Sequence, residues 1–107
     1  MISFLKKLFS PSVDFKELVQ KGAIIIDVRT PSEFDGGHIK NSKNIPLNII
    51  SRDIQLIKKM GKPIITVCQS GGRSRMAKNL LKNEAIEVYN GGAWFKLNTK
   101  ILAYQLR

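Results

Sequence analysis

The sequence predicts an α/β fold, a mostly parallel sheet covered by helices on both faces. Three observations carry this. Residues 23–28 and 64–67 are predominantly apolar runs, broken only by Asp27 and Thr66, the pattern of strands buried on both sides. Segments with helical apolar spacing fall between such runs. The second run ends in the only cysteine, followed by a two-glycine loop and a basic segment with helical spacing. Open parallel sheets place their sites at such strand ends.

In order along the chain, residues 1–9 are mildly amphipathic, and Lys6 and Lys7 split an apolar run too short for a signal peptide. They read as an N-terminal arm over residues 1–11, with a single domain over residues 12–107. Asp14 and Glu17 bracket a helix start that puts Phe15, Leu18 and Val19 on one face, and Gly22 is placed to end it. The strand over residues 23–28 follows. Thr30, Pro31, Ser32 and Glu33 form a capping box with proline at the first helical position. Gly36 and Gly37 keep that helix short. Asn44, Ile45 and Pro46 read as a short strand stopped by proline.

Ile50, Ile54 and Ile57 are spaced for one helix face, with Lys58, Lys59 and Gly61 closing its end. After the cysteine loop, Met76, Ala77, Leu80 and Leu81 read as the apolar face of the next helix. Residues 86–89 read as the last strand and Asn90-Gly91-Gly92 as a turn. Leu97, Ile101 and Tyr104 are spaced for a final helix.

Composition narrows the function. The chain has 107 residues, 43% of them hydrophobic, which suits one folded domain rather than a disordered segment. No apolar run approaches the roughly 20 residues of a membrane span. The net charge of +10 favours anionic partners, but the lysines are dispersed, so a solvated basic surface is expected and no nucleic-acid face. A lone cysteine excludes an internal disulfide and a Cys-x-x-Cys pair. One cysteine and one histidine leave no basis for a metal site, and no cofactor is expected. A working free thiol suits a reduced cytoplasmic compartment.

Cys68 is the candidate nucleophile. Only the thiolate reacts, and helix N-termini and nearby cations favour it. The loop lacks proline, so every N–H from Gln69 to Ser74 is available, and Gly71 and Gly72 let the backbone curl around one point. Arg73 and Arg75 add positive charge. The alternative is a small buried hydrophobe ending a core strand.

At this point the residues resemble a family. Asp27-Val28-Arg29, Glu33-Phe34, Gly37-His38-Ile39 and Asn44-Ile45-Pro46 are similar to the first signature of single-domain rhodanese-like proteins. The run from Cys68 through Gln69, Ser70, Gly71, Gly72 and Arg73 to Ser74 resembles their active-site loop. Gly91-Gly92 with Trp94 resembles their C-terminal motif, although Lys96 and Leu97 replace any later tryptophan. The resemblance implies a rhodanese-like three-layer fold with a five-stranded parallel sheet.

It also implies sulfane-sulfur transfer through a persulfide on Cys68, from a small anionic donor such as thiosulfate to cyanide or a thiol. Cys68 and Arg73 would be the catalytic pair, Arg73 acting by loop shape and charge. Gln69, Ser70, Gly71, Gly72 and Ser74 would hold the substrate. Asp27, Arg29, Glu33, His38 and Trp94 would be structural, with Arg29 and Glu33 paired across their turn. A sulfur relay to a trafficking protein partner is the alternative function. A cysteine phosphatase or arsenate reductase fits less well, because only Gln69 to Gly72 separate Cys68 from Arg73 and an oxyanion needs a wider ring.

Overall fold

The computed structural model describes residues 13–105, so the expected arm over residues 1–11 lies outside them. In chain order these residues form α1 (Phe15–Gln20), β1 (Ile24–Asp27), α2 (Pro31–Asp35), β2 (Lys43–Asn44) and a 3-10 helix (Leu47–Asp53). Then come α3 (Ile54–Met60), β3 (Ile64–Cys68), α4 (Gly72–Lys82), β4 (Val88–Ala93) and α5 (Trp94–Gln105). All strand pairs are parallel, in the order β2-β1-β3-β4. No described helix is long and apolar enough to cross a membrane.

Adjacent isoleucines build the two outer layers. Successive strand residues point to opposite faces, and the central strands are apolar at both. Ile26 and Ile64 pack on one face with Ile50, Ile57, Ala77 and Leu81, under α3 and α4. Ile25, Ile65 and Val67 pack on the other with Leu97 and Ile101 of α5, flanked by Phe15, Leu18 and Val19 of α1. Each fully buried side chain contributes about 1.5–3 kcal/mol.

Local signals hold at several helix ends. The Asp14 carboxylate accepts the Glu17 N–H at 3.0 Å. Both reciprocal bonds of the Thr30–Glu33 capping box form. Gly61 closes α3 in the left-handed conformation.

Four expectations are corrected. The sheet has four strands among the described residues, not five, and β4 is hydrogen-bonded on one side only. Residues 47–53 wind as a 3-10 helix before α3 begins. Pro46 starts this tighter turn, its carbonyl accepting the Ile49 N–H at 3.0 Å, and both Ile50 and Ile57 still reach the core. On α4 the inward residues are Ser74, Ala77 and Leu81, while Met76 and Leu80 are exposed. The arginine end of this helix sits against the strand termini, and that docking rotates the apolar pair outward.

The fourth correction concerns residues 90–92, which continue β4 with a register shift opposite Thr66 and Val67, where a turn was expected. Gly91 makes this passage possible. A Cβ there would lie 2.8 Å from Ile65 Cγ2, 2.9 Å from Val67 Cγ1 and 3.0 Å from the Thr66 carbonyl oxygen. Gly91→Ala should therefore destabilise the fold by about 1–3 kcal/mol through overpacking. A urea midpoint unchanged from the native chain would refute this close contact.

Candidate active site

The site forms where β1 and β3 end. Asp27 is fully buried, and Arg29 is 3% exposed beside it. The Arg29 guanidinium donates to both Asp27 carboxylate oxygens, at 2.7 to 3.1 Å. It also donates to the carbonyls of Glu33 (3.2 Å) and Gly37 (2.7 Å) and lies over the Trp94 ring, 4.7 Å from its centroid. A charge so far from water needs this full set of partners. The knot fixes the α2 end of the site.

The expected Arg29–Glu33 side-chain pair is not formed. Of Glu33, Arg29 meets only the backbone, because Asp27 and the Gly37 carbonyl take the rest of its fork. The Glu33 carboxylate instead accepts two bonds from Arg73, at 2.7 and 3.0 Å. This bidentate bridge ties α2 to the start of α4. Arg73 holds the Glu33 pKa down, from 4.5 to about 2, with help from the Thr30 N–H and against burial.

A depressed carboxyl pKa adds stability above the ordinary value, and that contribution fades as pH falls toward the folded one. The native urea midpoint should therefore fall between pH 4.5 and about 2, and Glu33→Gln should flatten the profile in that window. Parallel profiles would contradict the bridge.

Cys68 ends β3 and is 1% exposed. Gly71 takes φ +104°, which turns its N–H onto Sγ at 3.0 Å, and the Ser74 N–H follows at 3.4 Å. Ser74 Oγ lies 3.3 Å from Sγ. Burial is the largest influence on the thiol and raises its pKa. The Ser74 hydroxyl and the N–H groups of Ser74, Gly71 and Ser70 together outweigh it, so the net pKa is lowered. Thr66 Oγ1 donates to the Ser74 carbonyl at 2.8 Å and pins α4 to the strand.

The cradle is therefore narrower than all the N–H groups from Gln69 to Ser74. Gln69, Ser70 and Gly72 are exposed around it. Ser70, Gly71, Gly72, Arg75, Asn90 and Gly92 line an open cleft beside the loop. The Arg73 side chain turns to Glu33, whose hydrogen bond is the main cause of its raised pKa, and the Cys68 charge adds to it. His38 is exposed, stacks on Phe34 at 3.7 Å and bonds the Phe34 carbonyl through Nδ1 at 2.7 Å. Trp94 backs Arg29 and packs against the α5 side of the core.

Asn90 joins the site from β4. Its Oδ1 lies 2.6 Å from Ser74 Oγ and accepts the Gly92 N–H at 2.9 Å. Its place before two glycines reads as turn chemistry, which hid this contact.

Residues 12–96 match the rhodanese-like domain family. The chain belongs to the rhodanese-like family. It is 44% identical over 75 residues to the uncharacterized protein YqhL of Bacillus subtilis, covering 69% of this chain and 59% of that protein. The chain thus spans little more than half the length of that relative. It is 30% identical over 88 residues to the thiosulfate sulfurtransferase GlpE of Pseudomonas syringae, covering 81% of this chain and 82% of that one.

Among solved structures, a rhodanese-related protein from Thermoplasma volcanium superposes with a TM-score of 0.69. It shares 24% identity and covers 81% of this chain and 85% of its own, a likeness of fold. The rhodanese-like assignment agrees with the parallel sheet, with the Cys68 loop at a strand end, and with a family that includes named sulfurtransferases.

Proposed function

We propose that the protein is a sulfurtransferase with Cys68 as its nucleophile. The Cys68 thiolate attacks the outer sulfur of a donor such as thiosulfate. The donor's S–S bond breaks, its electron pair leaves with sulfite, and Cys68 becomes a persulfide. Cyanide or a thiol then takes the terminal sulfur and returns the thiolate. Splitting the transfer this way replaces one hard step by two easier ones. The observation that carries the reading is a buried sulfur met by two N–H groups and a hydroxyl at the end of a parallel strand.

Those donors favour the anion, so the reaction needs no general base, and His38 is engaged elsewhere. Arg73, held by Glu33, contributes loop shape and positive charge. Gln69, Ser70 and Gly72 line the approach, and Gly71 and Ser74 hold the sulfur.

Steady-state transfer from thiosulfate to cyanide tests the proposal. Parallel double-reciprocal plots, the pattern of a covalent intermediate, are expected, with all turnover lost in Cys68→Ser. Turnover that survives Cys68→Ser would overturn it. A relay that hands its persulfide to a protein shares the first step. It would load sulfur yet turn over cyanide poorly.

A further inference from the structure

The Ser74 hydroxyl has one proton and three acceptors around it. Asn90 Oδ1 is nearest at 2.6 Å, the Gly71 carbonyl lies at 3.1 Å, and Cys68 Sγ at 3.3 Å. The Asn90 amide cannot be turned over, because its Oδ1 also accepts the Gly92 N–H at 2.9 Å. Its Nδ2 reaches back to the Gly71 carbonyl at 3.4 Å. In the thiol form the chain of bonds runs from S–H to Ser74 Oγ and from the Ser74 O–H to Asn90. In the thiolate form the sulfur can only accept, and the same hydroxyl proton is its closest side-chain donor.

We propose that Asn90 is a positioning residue that sets the proton affinity of Cys68 by competing with the sulfur for the Ser74 hydroxyl proton. This rests on the reading of Cys68 as a working thiolate. The Gly92 N–H keeps Asn90 Oδ1 satisfied when the hydroxyl turns away, so the exchange strands no buried group. The competition acts on both halves of the reaction. A lower proton affinity gives more thiolate to attack the donor and a better leaving group when the persulfide is discharged, but a weaker nucleophile. Asn90 would fix that compromise through the Ser74 hydroxyl.

Among the described residues, the charged groups on the elements packed around the sulfur are these. On α4, Arg73 is paired with Glu33 of α2, and Arg75 lines the outer cleft. On β1, Asp27 is paired with Arg29. β4 brings no charged side chain.

Ultraviolet thiolate absorbance titrates Cys68 without a reagent or donor, and Cys68→Ser supplies the blank for the single cysteine. Asn90→Asp keeps the shape and strengthens the competing acceptor. Its thiolate fraction on the rising limb should fall by about tenfold. In a Ser74→Ala background the same change can act through charge alone and should give a clearly smaller fall. Asn90→Ala removes the competitor and should move the midpoint the opposite way, again only where Ser74 is present. Equal shifts in both backgrounds, no shift, or an upward shift in Asn90→Ala would each overturn the proposal. Sulfur loading read by mass is independent of this. A chain that titrates as expected but takes up no sulfur loses the transfer reading and keeps this one.

Discussion

Truncating Asp27 to alanine is expected to cost about 3–5 kcal/mol of folding stability. Arg29 would remain 3% exposed with its main counter-charge gone. The carbonyls of Glu33 and Gly37 and the face of Trp94 would still surround it, but none carries a negative charge. The cost is that of an uncompensated buried cation, far more than one lost hydrogen bond. Replacing both partners should therefore hurt less than removing Asp27 alone, and Asp27→Leu with Arg29→Met makes the comparison. Urea unfolding of the three chains reads it directly. A loss below about 1 kcal/mol for Asp27→Ala would mean that the pair is solvated and the knot is not structural.

Gly71→Ala is expected to lower kcat/KM for sulfur transfer by about 100-fold. Space is not the obstacle, since the nearest atom to an added Cβ is Gly92 Cα at 3.6 Å. Conformation is. At φ +104° an alanine is strained by about 1–3 kcal/mol. Relaxing that strain rotates the peptide and turns the 3.0 Å N–H away from Sγ. The thiolate and the persulfide would both lose their shortest donor. Gly72 has no atoms within 4 Å of an added Cβ and no left-handed φ, so Gly72→Ala is the matched comparison and should cost far less than Gly71→Ala. Equal losses at the two glycines would contradict the assigned role of the Gly71 N–H.

Much of this was legible in the sequence because the signals are local. The capping box at Thr30 and Glu33, the helix-ending Gly61, and the apolar runs of β1 and β3 each follow from a few neighbouring residues. So did Cys68 at a strand end before a glycine loop. What escaped depends on distant partners. Arg29 and Glu33 are four apart and look like a pair, but only the fold shows Asp27 taking one and Arg73, 40 residues on, taking the other.

Asn90-Gly91-Gly92 has turn composition, yet Gly91 is required by Ile65 and Val67 beneath it, which no local pattern reveals. Asn90 reached the sulfur site for the same reason. The outward tilt of Met76 and Leu80 follows from where the start of α4 docks, which periodicity alone does not set.

The most direct test of the central claim is the intact mass of the reduced protein before and after thiosulfate, beside Cys68→Ser. The account predicts a gain of about 32 Da, one sulfur, on the native chain, none on the variant, and its loss on adding cyanide. No gain with thiosulfate or with a persulfide donor such as glutathione persulfide would contradict it. Cys68 would then return to being a small buried hydrophobe at the end of β3.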